Sequence, residues 1–235
     1  MEKEILYKQG VIMIFIAECG INHNGDYQRA KLLAYEAKLA GADIAKFQTF
    51  PDGWNDLKNI SYPDTARLAH YCDELGIEFM STPHSLSAVD FLEPLVKTYK
   101  IASPFLTDLD FVKHVASKKK FVYFGTGSLI HDNGMATDEE IDDAFKILMT
   151  SGCYPLAMHC VSKYPAENPH YERIDVIRKR HAMCGYSSHT PHVLPPDNVP
   201  VCEYHFKIDD DCVDANVSLN PLEFKDMVRS VNEKV

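Results

Sequence analysis

Short apolar runs alternate along the chain with longer stretches in which apolar residues recur every three or four positions. The first pattern predicts strands and the second amphipathic helices. Strands are predicted at residues 11–19, 43–50, 77–82, 99–103, 121–126, 156–162, 184–188 and 201–206. Helices are predicted at residues 26–40, 62–75, 86–96, 109–117, 138–151, 171–181 and 221–235. Gly41 and Gly76 stand where helices should stop, and Thr137 with Glu140 makes a capping box for the helix that follows. Strands joined by helical crossovers make a parallel sheet. Eight such units predict an α/β fold, a (β/α)8 TIM barrel, as a single domain over residues 1–235. A doubly wound open sheet is the alternative, but no G-x-G-x-x-G or Walker motif follows any strand. One unit is irregular. The segment TPHVLPPDNVP, between His189 and Val201, is too rich in proline for a helix, so the seventh helix should be missing or replaced by a loop.

Charge narrows the partners. With 34 acidic and 24 basic residues the chain carries −10, which argues against nucleic acid and against an anionic membrane surface. An anionic ligand would need a local cluster of Lys, Ser and backbone N–H groups. The seven cysteines (19, 72, 153, 160, 184, 202 and 212) are odd in number and form no C-x-x-C pair. Reduced thiols and a cytoplasmic location fit better than a disulfide framework or a zinc knuckle. The apolar run 12–17 is too short to span a membrane and leads straight into Glu18, so it is read as a strand and not as a signal peptide.

In a barrel of this type the C-terminal strand ends share one face, and chemistry collects there. Those ends carry Glu18 and the run Asn22-His23-Asn24-Gly25, Lys46 and Gln48, Ser81 and Thr82, Lys100 and Ser103, and Thr126. They continue with His159, Ser162 and Tyr164, then Ser187 and His189, then His205. Each taken singly is an ordinary cap or structural residue. Together they are harder to explain, because buried polar groups need partners. Lys46 sits between Ala45 and Phe47 in an apolar strand, and Lys100 stands likewise. Beside Thr82 and Ser103, two inward lysines would form a phosphate or carboxylate pocket. His189 and His205 end adjacent strands, where two imidazoles can share a divalent metal, although structural histidines are the commoner outcome.

The stretch IAECGINHNGDYQRAKLLAYEAKLAGADIAKFQTF (16–50) resembles the opening of the sialic acid synthase (N-acetylneuraminate synthase-like) family. Shorter matches follow in order: Ser81-Thr82-Pro83, the run 99–103, Gly125-Thr126-Gly127, the run 159–165, the run 185–190, Glu203-Tyr204-His205-Phe206 and Asn220-Pro221. The resemblance implies a barrel that condenses phosphoenolpyruvate with the aldehyde of an N-acetylhexosamine and releases phosphate. By that resemblance, Lys46, Thr82, Lys100, Ser103, Ser162, Tyr164 and Ser187 hold phosphoenolpyruvate. Glu18 and Gln48 meet the aldose acceptor and the reacting centre, Asp214 meets the sugar, and His189 and His205 bind the metal. The catalytic set it implies is Glu18, Lys46, His189 and His205. The implied cofactor is a divalent metal, with Mn²⁺ first and Mg²⁺ or Co²⁺ as alternatives.

The chain also departs from that family's pattern. Members continue into an antifreeze-like C-terminal domain and dimerise partly through it, whereas the resemblance here covers the barrel and leaves a homodimer open. The loop at 51–60 is short, Pro104-Phe105 replaces Gly-Glu, Ser188 replaces an aspartate, Gly125 a serine and Ser162 an asparagine. Three readings therefore remain: a phosphoenolpyruvate-dependent 2-keto acid sugar synthase, a metal-dependent barrel aldolase or lyase, and a degenerate binding barrel without turnover.

Overall fold

A computed structural model describes residues 13–51, 58–197 and 199–233. Its frame is a closed barrel of eight strands in the order β1 to β8. The strands are β1 (Ile14–Gly20), β2 (Ile44–Thr49), β3 (Glu78–Pro83), β4 (Thr98–Ile101), β5 (Phe121–Gly125), β6 (Tyr154–His159), β7 (Cys184–Ser188) and β8 (Val201–His205). Every pairing is parallel, and β8 closes the ring onto β1. The helices are α1 (Tyr27–Leu39), α2 (Tyr62–Leu75), α3 (Leu86–Leu92), α4 (Leu109–Ala116), α5 (Asp138–Thr150), α6 (Glu172–His181) and α7 (Pro221–Asn232). The fold is the expected (β/α)8 barrel. Among the described residues no helix joins β7 to β8, as the prolines of that segment require.

Local chemistry sets the boundaries. Asp26, Ser61, Asp108 and Thr137 each accept a backbone N–H from the first turn of the helix they precede. The capping box of Thr137 and Glu140 forms as predicted, and Asn220 with Glu223 makes a second one on α7. Three predicted boundaries are corrected. The helix expected over 86–96 ends at Leu92, because Pro94 has no N–H to continue the helical hydrogen bonding. The fourth strand stops at Ile101 instead of reaching Ser103, which opens a 3₁₀ turn with Pro104. The sixth strand runs Tyr154–His159 instead of 156–162, since Tyr154 and Pro155 already pair with Phe121 and Val122 of β5. The predicted extensions of the first strand to residues 11–12 and of the last helix to 234–235 lie outside the described residues, as does 52–57 of the short loop.

Side chains alternate across each strand. Outward positions such as Phe15, Ala17, Phe47, Tyr99, Phe124, Tyr186 and Tyr204 pack beneath the helices in the main core. Inward positions Ile16, Ile44, Met80, Tyr123, Leu156, Met158 and Val201 form a separate apolar plug within the barrel. Two residues further along their strands, on the same inner side, come Glu18, Lys46, Thr82 and Glu203. The lumen therefore changes from apolar to ionic in one step of the pleat. All seven cysteines are free thiols. Among the described residues no helix is long and apolar enough to cross a membrane.

The plug leaves little room on β7. A Cβ at Gly185 would lie 2.3 Å from Met158 Sδ and 3.0 Å from the carbonyl oxygen of Val201. Gly185→Ala should therefore destabilise the barrel by about 1–3 kcal/mol, the usual range for overpacking. Urea unfolding checks this; an unchanged midpoint would show that the plug has slack.

Candidate active site

The polar layer is built around two lysines and two glutamates, all buried. Lys46 Nζ lies 2.6 Å from Glu18 Oε2 and 3.6 Å from Glu203 Oε1. It also donates to Thr82 Oγ1 at 3.2 Å. Lys100 Nζ reaches both carboxylate oxygens of Glu203 at 2.9 Å. Ser187 Oγ donates to Glu203 Oε1 at 2.9 Å, and Gln48 Nε2 donates to Glu18 Oε1 at 3.1 Å. Register explains part of this convergence: Glu18 pairs with Lys46 on one side and with His205 on the other, and Ser187 pairs with Glu203. The Lys100–Glu203 bridge is different, because β4 and β8 lie on opposite sides of the ring. It spans the lumen.

Burial alone would raise the Glu203 carboxyl. The charges of Lys100 and Lys46, with hydrogen bonds from Lys100 and Ser187, outweigh burial and hold it well below the usual carboxylate range. Burial would likewise lower Lys46, but Glu18 and Glu203 overcome it and raise the ammonium. The four groups sum to zero formal charge, so neither ammonium stands alone in the lumen.

Next to this layer stand His189 and His205, with ring centroids 5.4 Å apart. His189 Nδ1 lies 2.5 Å from the Val161 carbonyl oxygen, to which it donates. His205 Nδ1 lies 3.1 Å from Asp214 Oδ2. With each Nδ1 bonded to an acceptor, Nε2 is the nitrogen that carries the lone pair in the neutral ring. This is the arrangement that metal-binding histidines use. Burial, reinforced by the neighbouring His205, lowers His189 to about 3, so that ring is neutral. Burial also opposes charge on His205, but the hydrogen bond and charge of Asp214 override it and raise that ring. Tyr164 stacks on His189 at 4.1 Å and meets His205 edge-on at 5.9 Å.

A third component is a cradle of small groups at the ends of β4, β5 and β6. The Gly127 N–H lies 3.2 Å from both Ser103 Oγ and Cys160 Sγ. A Cβ at Gly127 would fall 2.2 Å from Ser162 Oγ, 2.9 Å from Ser103 Oγ and 3.0 Å from Cys160 Sγ. Glycine is what lets these three side chains close around the turn. Gly125 has the same constraint, since a Cβ there would sit 2.6 Å from Ser103 Oγ; this accounts for glycine where the resemblance leads one to expect serine. The Gly127 N–H is spent on holding Ser103 Oγ and Cys160 Sγ, and the two serine hydroxyls gathered here suit an anion's oxygens.

A model of the NeuB family matches residues 54–234. The chain belongs to the NeuB family. It is 34% identical to an uncharacterized protein of Methanocaldococcus jannaschii, over 95% of this chain and 71% of that one. It is 32% identical to the N,N'-diacetyllegionaminic acid synthase of Legionella pneumophila, over 93% of this chain and 71% of the relative. Among solved structures, the N-acetylneuraminic acid (sialic acid) synthetase of Leptospira borgpetersenii superposes with a TM-score of 0.87 at 23% identity. That match covers 95% of this chain and 84% of the other, and it speaks for the fold.

In this NeuB chain the structure gathers the sequence-derived candidates into three linked parts. Glu18, Lys46, Gln48, Thr82, Lys100 and Ser187 make the ionic layer. Ser103 and Ser162 line the cradle, and Tyr164, His189 and His205 stand together. Asp214 holds His205. Three other strand-end residues face away from the lumen. His159 bonds to the Pro169 carbonyl oxygen at 2.8 Å, Ser81 bonds to Thr49, and Ser188 bonds to the Thr190 carbonyl oxygen. Phe105, where a carboxylate was expected from the resemblance, stacks on Phe111 at 4.5 Å and meets His84 edge-on. Glu203 was missed as a site residue. The two-residue period would have found it, because an inward His205 places Glu203 inward as well.

Replacing Glu203 by Gln leaves two buried lysines with one carboxylate. The loss should be about 3–5 kcal/mol, as when one partner of a buried pair is removed. The pH response gives a second reading. Since the folded Glu203 carboxyl lies below its ordinary value of 4.5, its contribution is complete above that value and is lost as pH falls through the lower folded one. Urea midpoints measured from pH 7 down to acid should fall less steeply in Glu203→Gln than in the parent; parallel curves would contradict the bridge.

Proposed function

We propose that the chain is a phosphoenolpyruvate-dependent synthase of a 2-keto acid sugar, condensing phosphoenolpyruvate with the aldehyde of a hexosamine or related sugar and releasing phosphate. The observation that carries this reading is the junction of the anion cradle, the Lys46–Glu18–Glu203–Lys100 layer and the two Nδ1-anchored histidines. Membership of the NeuB family and the legionaminic acid synthase relative support it.

The donor set fits a divalent metal. Two imidazoles with centroids 5.4 Å apart are each fixed by a hydrogen bond at Nδ1, which leaves Nε2 as the ligand nitrogen. His189 and His205 would be the metal's protein ligands, with water or substrate oxygen completing the shell, since among the described residues no third His, Cys, Asp or Glu is grouped with them to hold an ion. The ion, with Mn²⁺ first and Mg²⁺ or Co²⁺ as alternatives, supplies polarisation of an aldehyde oxygen.

The protein's own groups do the rest. The hydroxyls of Ser103 and Ser162, the former held by the Gly127 N–H, receive the phosphate oxygens, while Lys46, Lys100, Thr82 and Ser187 face the carboxylate end. Holding phosphoenolpyruvate there sets its enol carbon against the carbonyl carbon of the aldehyde, and fixing that approach is worth several kcal/mol. A C–C bond forms, water adds to the former enol carbon, and the C–O bond to phosphate breaks. Glu18, held by Gln48 on one oxygen and Lys46 on the other, can accept a proton from that water or from a sugar hydroxyl. Tyr164 packs against both histidines, and Asp214 keeps His205 in register.

The direct test is phosphate release from phosphoenolpyruvate with Mn²⁺ and a panel of aldoses. Release that depends on an aldose supports the synthase. Pyruvate formed by cleavage of a keto acid points instead to an aldolase or lyase, and no turnover with any aldose points to a binding barrel. A variant locates the phosphate. Gly127→Ala displaces Ser162 Oγ and should weaken phosphoenolpyruvate binding by about 10- to 100-fold, the loss of that hydroxyl's charge-assisted hydrogen bond. Calorimetry on the folded variant reads this, and unchanged affinity would place the phosphate elsewhere.

A further inference from the structure

Asn22 stands in the turn after β1, fully buried, and has no place in the reaction just described. Its side chain nevertheless makes three bonds to the segment that leads from β8 to α7. Nδ2 donates to the Phe206 carbonyl oxygen at 2.9 Å and to Ser218 Oγ at 3.3 Å. Oδ1 accepts the backbone N–H of Asp214 at 3.0 Å. Ser218 Oγ in turn donates to the Asp214 carbonyl oxygen at 2.7 Å. Both peptide groups of Asp214 are thus fixed from one side chain, directly on the N–H side and through Ser218 on the carbonyl side. The Asp214 carboxylate then bonds to His205 Nδ1.

A second strut secures the outer part of the same loop. Arg29 on α1 grips both oxygens of Asp209, donates to the Asp211 carbonyl oxygen at 3.0 Å, and returns through Nε to the Asn22 carbonyl oxygen at 3.2 Å. Asn24 Nδ2 meets the same Asp211 carbonyl oxygen. The turn after β1 therefore serves as the platform on which the Asp214 loop is built.

We propose that Asn22 is a positioning residue for His205: it acts through Asp214 to hold the ring with Nδ1 protonated and Nε2 presented to a metal ion. The inference deepens the reading given above, in which His189 and His205 bind a divalent ion. Fixing the Asp214 peptide groups fixes where its carboxylate stands against Nδ1. Groups that orient a metal-binding histidine in this way are worth about 10- to 100-fold in metal affinity. Asparagine suits the position because it offers a donor and an acceptor on one rigid head, which neither alanine nor aspartate does.

The experiment is a double-mutant cycle on the full chain with Asn22→Ala, Asp214→Ala and the pair. Mn²⁺ affinity is read by the EPR signal of the free ion. The His205 tautomer is read by ¹⁵N NMR of the imidazole in metal-free protein. Asn22→Ala is expected to weaken Mn²⁺ by about tenfold or more and to erode the Nδ1–H tautomer, and both effects should vanish in the Asp214→Ala background. Leu33→Ala, a buried cavity variant on α1, controls for lost stability alone and should move neither readout. If Asn22→Ala does not fold, Asn22→Ser takes its place in the cycle. Equal effects with and without Asp214, or effects no larger than those of Leu33→Ala, overturn the proposal. If the parent fails to bind Mn²⁺, the metal reading fails, while the tautomer still decides whether Asn22 acts on His205.

Discussion

A carboxylate buried between two ammonium groups sets the terms for the rest of this barrel. Glu203 on β8 crosses the lumen to Lys100 on β4 and approaches Lys46 on β2, which is itself paired with Glu18 on β1. Four ionisable side chains in a dry interior are tolerable only as a complete set, because removing one leaves its partners uncompensated. The apolar plug below them excludes water from one side, and the strand register brings Glu18, Lys46 and His205 side by side. The strands are thereby pinned across the ring as well as around it.

Neutrality of that layer shapes how an anion could be held. The lysines already have carboxylate partners, so the phosphorylated ligand proposed above would need further donors. The hydroxyls of Ser103 and Ser162 would provide neutral donors, and the paired lysines orientation more than excess charge. His189 and His205, anchored at Nδ1, stand at the edge of the same space. The loop carrying Asp214 is tied to the turn after β1, so the closing seam of the barrel, where β8 meets β1, is also where the histidine is aligned.

Much of this was legible in the sequence. Alternating short apolar runs and helical periods predict eight units, and the prolines between His189 and Val201 predict the missing helix. A lysine inside an apolar strand predicts a polar lumen, and Lys46 and Lys100 are both there. What was not legible depended on contacts across the ring. Nothing in the local sequence says that Lys100 will meet Glu203, since β4 and β8 are distant in the chain and opposite in the barrel. His159 looks like a strand-end ligand, yet strand parity turns it outward to Pro169. The bond from His205 to one carboxylate oxygen of Asp214 was not legible either, since it joins a strand end to the loop beyond it.

The central claim is that phosphoenolpyruvate reacts at its enol carbon and loses phosphate by C–O cleavage. Isotope labelling tests it most directly. Phosphoenolpyruvate carrying ¹⁸O in the bridging position, incubated with Mn²⁺ and a competent aldose, should give phosphate that retains the label, as read by the ³¹P isotope shift. Phosphate that has lost the bridging ¹⁸O would mean attack at phosphorus and would contradict the account.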